Sequence, residues 1–87
     1  MKWNLYYTRQ AQKNARKLSS SGNKAKAQQL LDILEINPWQ SPPPFESLVG
    51  DLSGAHSRRI NIQHRLVYRV LENETAVKIL RLWTHYE

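Results

Sequence analysis

Cysteine is absent from this 87-residue chain, and acidic residues are scarce. Without cysteine the chain forms no disulfide and has no thiolate for catalysis, and a zinc site would depend on histidine and carboxylates alone. Thirteen lysine and arginine residues against seven aspartate and glutamate residues give a formal net charge of +6. This excess favours RNA, DNA, a ribosome or an acidic protein as the partner, although charge also serves solubility by itself.

Long hydrophobic runs are missing as well. No stretch approaches the roughly 20 apolar residues of a transmembrane helix, and the N-terminal residues lack the apolar core of a signal peptide. We therefore expect a cytoplasmic protein that does not enter a membrane. The length corresponds to a single domain over residues 1–87, whose small core would gain stability from a partner.

The first half of the chain predicts one strand and two helices. Alternating apolar residues in 2–7 indicate a strand. A helix over 9–19 would begin after Thr8 as its N-cap, and a second helix over 24–36 would end before Pro38. The short polar link between them predicts an antiparallel helix hairpin. The residues expected to face the core are Ala11, Ala15, Leu18, Ala27, Leu30, Leu31 and Leu34, with Ile33 as a further candidate.

The second half predicts strands. Residues 38–45 are rich in proline and predict a rigid connector that crosses the edge of a sheet. Residues 52–68 follow as two short strands, in which Leu66 and Tyr68 share one face and Arg65 shares the other with Val67. The two strands agree on an apolar and an arginine-bearing face only if their connection is odd in length, most simply three residues at 62–64.

Residues 75–86 form the last predicted strand. Apolar residues at both parities are typical of a central strand. Strict alternation places Arg81 on the same face as Val77 and Ile79. The element order is then β-α-α-β-β-β, which predicts an α+β fold: an antiparallel helix hairpin on one face of a mostly antiparallel four-stranded sheet.

Familiar catalytic motifs are missing: the chain has no phosphate-binding P-loop, no zinc-binding HExxH and no serine nucleophile motif. What remains is Glu46 after the prolines, the arginines of the hairpin, and His85 with Tyr86 near the end. Singly, each has an ordinary explanation, such as a solvated loop acid or a surface histidine.

Together, these residues carry a resemblance. The letters LSG at 52–54, SRRI at 57–60, HRLVY at 64–68 and HY at 85–86 are similar to those of the Txe/YoeB family of bacterial toxins, within the RelE/ParE-like superfamily. The element order also matches that family over the whole chain. The resemblance implies the toxin half of a toxin–antitoxin pair, an endoribonuclease that cleaves mRNA in the A site of the 70S ribosome.

The resemblance also implies roles for individual residues. Glu46 corresponds to the general base, Arg65 to the group that stabilises the phosphate in the transition state, and His85 to the general acid. Tyr86 is its neighbour in the site, and Arg59 corresponds to a supporting phosphate contact. These roles suit a cleavage in which the RNA 2′-hydroxyl attacks the adjacent phosphate, a reaction that needs no metal or cofactor.

Two departures from the family pattern matter. Family members often carry a lysine three residues after the catalytic acid, whereas this chain has Val49. Arg58 and Arg81 are the further candidates for phosphate binding, and either of them or Lys78 could supply the missing charge. The chain also continues past Tyr86 to Glu87, so that the tyrosine does not carry the terminal carboxylate.

The expected partners follow from the same resemblance. They are a cognate acidic antitoxin of the YefM/Phd type and the ribosome with its A-site mRNA, and a second copy of the chain is a further candidate. An acidic segment that covers the cationic face would switch off catalysis without disturbing the core.

Two other functions remain open on the sequence. A ParE-like toxin on the same fold would inhibit DNA gyrase and would need no acid–base set. A non-catalytic basic module would use Arg59 and Arg65 only to contact phosphate and would leave the RNA intact.

Overall fold

The computed structural model describes residues 2–19, 22–61 and 64–82 of the chain. The elements run in the order β1 (Asn4–Tyr7), α1 (Arg9–Ser19), α2 (Lys24–Ile36), β2 (Glu46–Ser47), β3 (His56–Arg59), β4 (Arg65–Leu71) and β5 (Ala76–Arg81). Two 3₁₀ turns lie at Gly50–Leu52 and Glu72–Glu74.

Both helices have the predicted bounds, and their ends have the expected chemistry. The Thr8 hydroxyl oxygen accepts the N–H of Ala11 at 3.0 Å, as an N-cap does. The same hydroxyl donates to the carbonyl oxygen of Leu80 at 2.9 Å and so ties the start of α1 to β5. Asn37 is extended, with φ −160° and ψ 102°, which is the conformation favoured before Pro38. In the described ranges, neither helix has the length and apolar character needed to cross a membrane.

The predicted α+β arrangement is confirmed, with one strand more than expected. Within the described ranges, five strands form a sheet in the order β1-β5-β4-β3-β2, and of the strand pairs found there only β1–β5 is parallel. The last strand is central, as predicted, because β5 lies between β1 and β4. The additional strand is β2, whose two residues are too short to produce an alternating pattern in the sequence.

The hydrophobic core lies between the helices and one face of the sheet. Leu30 and Leu34 of α2 are buried there with Leu66, Tyr68 and Ile79 of the strands. A fully buried leucine stabilises the fold by about 1.5–3 kcal/mol, so this layer contributes much of the stability of a small domain.

The other face of the sheet carries the predicted arginines. Residues paired across antiparallel strands share a face, and the register pairs Glu46 with Ser57, Arg59 with Arg65, and Val67 with Arg81. We call the surface formed by Glu46, Ser57, Arg59, Arg65, Val67 and Arg81 the arginine face.

The connection between β3 and β4 spans residues 60–64 and is therefore odd in length, as the alternation requires, but longer than the three residues expected. The carbonyl oxygen of His64 accepts the N–H of Ile60 at 2.9 Å and that of Asn61 at 3.2 Å. The Asn61 side chain in turn accepts the N–H of His64 at 2.8 Å. These bonds close the connection without a glycine.

A β-bulge interrupts β5. Tyr68 pairs with Ile79, but Val67 pairs with Arg81, so that Leu80 is an extra residue. The extra residue inverts the alternation, and Leu82 lies in the core with Ile79. The prediction that Arg81 shares the face of Val77 and Ile79 is wrong for this reason.

Candidate functional site

A cavity of about 200 Å³ opens beside β2 and the β3–β4 hairpin. Three residues predicted from the sequence line it: Glu46, Arg59 and Arg65. The remaining lining residues are Pro44, Phe45 and Ser57. A carboxylate from the end of the proline-rich connector and two guanidinium groups from the hairpin thus converge on one space.

Strand pairing accounts for this convergence. Glu46 is the first residue of β2 and pairs with Ser57 of β3. Two residues further along β3, Arg59 points to the same face and pairs with Arg65 of β4. Three neighbouring strands therefore deliver one side chain each to the same side of the sheet.

The two arginines give the cavity its chemistry. Arg59 is exposed and Arg65 is half-buried. Like charges placed directly opposite each other are unfavourable in a sheet unless an anion lies between or beside them. The planar, multiply donating guanidinium groups match the oxygens of a phosphate, so the pair suits a phosphodiester.

Ser57 is a cavity residue to which the sequence analysis assigns no role. It is 1% exposed, and its hydroxyl oxygen has no hydrogen-bond partner in the part of the chain that the structure describes. A buried hydroxyl left in this state costs about 1–3 kcal/mol. Strand alternation places Ser57 on the arginine-bearing face, but no pattern in the sequence shows that it is buried beside Glu46.

Arg81 lies on the arginine face, outside the lining of the cavity. Its side chain is exposed, and its partner Val67 belongs to β4, the strand that also carries Arg65. Arg81 therefore lies on the same side of the sheet as Arg65, one strand further from Glu46.

Arg58 does not belong with the other predicted phosphate contacts. It pairs with Leu66 on the core-facing side of the sheet and is 1% exposed. Its guanidinium donates to the hydroxyl of Tyr68 and to the carbonyl oxygens of Pro38, Gln40 and Pro43. The structure contradicts a phosphate-binding role for Arg58, because the side chain is enclosed by the protein and its donors are engaged there.

His85 and Tyr86 lie outside the described residues, as do the other residues of 83–87. The strand that leads to them is anchored just before this point. The N–H of Leu82 donates to the buried Asn14 side chain at 3.3 Å, which joins the end of β5 to α1.

An aromatic cluster lies next to Arg58. The His56 ring packs at 5.0 Å from Trp39, 5.7 Å from Phe45 and 5.7 Å from Tyr68, measured between ring centroids. The pKa of His56 is lowered from its ordinary value, first by burial and then by the charges of Arg58 and Arg69. The sequence analysis assigns His56 no role, and no local pattern could have indicated this cluster because its members come from three separate segments.

Comparisons with known proteins point to one family. A family model described as YoeB-like toxin of bacterial type II toxin-antitoxin system matches residues 3–86. Toxin YoeB of Mycobacterium bovis is 40% identical over 57 residues, which are 66% of this chain and 65% of that protein. The matched segment thus spans just under two thirds of that relative.

Solved structures are similar over nearly the whole chain. The YoeB/ParE toxin from Agrobacterium tumefaciens has a TM-score of 0.85 and 26% sequence identity, covering 95% of this chain and 99% of that one. A toxin chain in the heterotetrameric YoeB-YefM toxin-antitoxin complex from Staphylococcus aureus has a TM-score of 0.81 and 29% identity, covering 99% and 100%. Since the family model covers all but a few residues, this chain belongs to the YoeB-like toxins of bacterial type II toxin–antitoxin systems.

Proposed function

We propose that this toxin is a ribosome-dependent endoribonuclease that cuts mRNA in the A site and so blocks translation. The observation that carries the proposal is the convergence of Glu46, Arg59 and Arg65 on one cavity. Neither alternative function accounts for this arrangement. A gyrase inhibitor needs no acid–base group, so the carboxylate beside the paired guanidinium groups would have no role. On a surface that only binds phosphate, a carboxylate would repel the ligand.

The reaction transfers one phosphoryl group within the RNA. The Glu46 carboxylate takes the proton of a 2′-hydroxyl, whose oxygen forms a bond to the adjacent phosphorus. The bond from phosphorus to the 5′-oxygen breaks, and protonated His85 gives its proton to that oxygen. The products are a 2′,3′-cyclic phosphate and a free 5′-hydroxyl.

Arg65 and Arg59 stabilise the charge that develops on the phosphoryl oxygens during this step. A fixed charge donor of this kind contributes on the order of 10²–10³ in rate, and a positioned general acid or base about 10²–10⁴. Arg81 holds a neighbouring phosphate, and Tyr86 completes the site beside His85. The ribosome contributes by presenting the message in one conformation, which supplies acceleration through orientation.

We further propose that an acidic antitoxin of the YefM type neutralises this chain. The similar Staphylococcus aureus toxin was solved in complex with YefM, and the formal charge of +6 here favours an acidic partner. A segment that covers the arginine face would exclude RNA from the cavity. A second copy of the chain is the other proposed partner. Because the proposed activity requires translating ribosomes, we propose that the toxin acts in the cytoplasm.

Primer extension on translating ribosomes tests the proposed function. The wild-type chain should produce a new 5′ end within the A-site codon. Glu46→Gln, Arg65→Ala or His85→Gln should each lower the rate of this cleavage at least about a hundredfold and abolish growth arrest. Arg16→Ala, an exposed change on α1, is the control. Growth arrest with intact message, or full cleavage by all three variants, would refute the proposal, and arrest that begins with DNA replication would favour gyrase inhibition.

A further inference from the structure

Arg58 holds the proline-rich connector in place. Residues 38–45 lead from α2 to β2 without regular secondary structure. One terminal nitrogen of Arg58 donates to Pro38 at 3.0 Å and to Gln40 at 2.8 Å, and the other donates to Pro43. Three carbonyl oxygens of the connector therefore converge on a single side chain.

The composition of the connector explains why it needs such a donor. Its four prolines have no N–H with which to join a strand ladder, yet every residue keeps a carbonyl oxygen. Buried carbonyl groups require a partner. Pro38 is itself buried, and its oxygen also receives the Tyr68 hydroxyl at 3.4 Å.

Among the residues that the structure describes, the acceptors around Arg58 are uncharged. They are three backbone carbonyls and the Tyr68 hydroxyl, which takes the Nε hydrogen at 3.1 Å. Burying a cation is expensive, and neutral acceptors recover less of that cost than a carboxylate would. A buried cation whose acceptors are neutral contributes little to the stability of a fold. Its planar guanidinium nevertheless fixes the relative positions of the groups to which it donates.

The connector ends at the cavity. The Phe45 ring lies 4.9 Å from the Arg58 guanidinium carbon, and the next residue is Glu46. Arg58 and Arg59 are neighbours on β3 and point to opposite faces, so one binds the connector while the other lines the cavity. Pro44, Phe45 and Glu46 all belong to the cavity lining.

We infer that Arg58 is a positioning residue, which fixes the connector so that the Glu46 carboxylate stands at the right distance from Arg59 and Arg65. The inference rests on the proposed function for its catalytic consequence. A positioning residue differs from a purely structural one in what its replacement changes. Replacing Arg58 should lower the cleavage rate of the bound complex, through Glu46, more than it lowers RNA binding or global stability.

The test compares Arg58→Lys, which keeps the charge but loses the forked geometry, with Arg16→Lys on the exposed face of α1. Cleavage of ribosome-bound message is measured in single turnover against toxin concentration. Arg58→Lys should lower the rate at saturation about tenfold to hundredfold, as a small misplacement of a catalytic group does. The toxin concentration that gives half the maximal rate should change by less than about twofold, and Arg16→Lys should change neither quantity.

Two further measurements separate positioning from loss of fold. Hydrogen–deuterium exchange should rise in residues 38–48 of Arg58→Lys and stay unchanged in α2. In a Glu46→Gln background, Arg58→Lys should reduce the residual rate by no more than about twofold, since the group through which it acts is already gone.

The results that overturn the inference are distinct from those that overturn the proposed function. Wild-type exchange and rate in Arg58→Lys, exchange that rises equally in α2, or an undiminished loss in the Glu46→Gln background would each refute it. If the wild-type chain leaves the message intact, the proposed function fails, and the exchange of residues 38–48 alone decides whether Arg58 holds the connector.

Discussion

Arg59 and Arg65 lie directly opposite each other across β3 and β4. Cross-strand pairs contribute roughly 0.2–1 kcal/mol when they are complementary, and like charges oppose folding. The free protein therefore gives up some stability where the cavity is most cationic, and the Glu46 carboxylate that lines the same cavity recovers a part of it. A bound phosphate would turn the same arrangement into an attraction.

Replacing Arg59 should make this compromise visible. Arg59→Thr removes the like-charge pair and places a good strand former on β3, so the free energy of unfolding should rise by about 0.5 kcal/mol. Cleavage of ribosome-bound message should fall. Urea denaturation and primer extension measure the two effects. A variant that is both less stable and fully active would show that the arginines neither repel each other nor serve catalysis.

Ser57→Ala should leave the fold as stable as the wild type or make it more stable. The Ser57 hydroxyl is buried without a hydrogen-bond partner in the described ranges 2–19, 22–61 and 64–82, so its removal deletes an unsatisfied group and leaves the strand intact. Urea denaturation checks this. The contrasting change is Ser47→Ala on exposed β2, which removes a hydroxyl that is hydrogen-bonded to His56 Nδ1 at 3.2 Å. A loss of more than about 1 kcal/mol in Ser57→Ala would indicate a partner for that hydroxyl.

Val49→Lys should strengthen RNA binding. Val49 is 86% exposed, so the lysine fits without disturbing the core. It supplies the positive charge that the resemblance to the toxin family implies at this position. If the lysine adds one phosphate contact, the logarithm of the association constant should fall more steeply with the logarithm of salt concentration, by about 0.7 for single-stranded RNA.

The measurement uses a short fluorescent RNA and a Glu46→Gln background, so that the RNA stays intact. Gln29→Lys, on the exposed side of α2, adds the same charge elsewhere. Equal salt slopes for the two lysine variants would place residue 49 away from the path of the RNA.

His56 should make the fold sensitive to mild acid. Burial, together with the charges of Arg58 and Arg69, lowers its pKa in the folded protein below the ordinary value of 6.5. The unfolded chain thus binds the proton first as pH falls. The contribution of neutral His56 to stability is complete above about pH 6.5 and is lost as the pH falls through the lower pKa of the folded state.

His56→Phe keeps a ring in the aromatic cluster but cannot titrate. The wild type should therefore lose stability relative to His56→Phe in mild acid. In urea denaturation, the free energy of unfolding of the wild type minus that of His56→Phe should fall from pH 7.5 to pH 5.0. A difference that stays constant over this range would mean that the pKa of His56 is the same in the folded and unfolded states.

Local sequence patterns were sufficient to predict the two helices and the side of the sheet that carries Arg59 and Arg65. Helix periodicity, an N-cap at Thr8 and a proline at position 38 each act within a few residues, so the sequence contains the whole signal. Strand alternation likewise depends only on neighbours. It places Ser57 and Arg59 together before any partner strand is known.

The rest depends on contacts between distant segments. Arg58 and Arg59 are identical in type and adjacent in the chain, yet one is enclosed and the other is exposed. The three carbonyl groups that Arg58 binds lie 15 to 20 residues earlier, in a segment without a repeating pattern. No periodicity reports such contacts. The extra residue in β5 is hidden for a similar reason, since Leu80 is as apolar as its neighbours and nothing marks it as unpaired.

That extra residue makes β5 one position longer than regular pairing requires. Loss of Leu80 would let Ile79 and Arg81 follow each other directly opposite Tyr68 and Val67, so Arg81 would stay on the arginine face and Leu82 would stay in the core. One added residue between Arg81 and Leu82 would instead turn Leu82 out of the core. In this part of the toxin, natural variation should therefore include the loss of a residue at position 80 more readily than an insertion after Arg81.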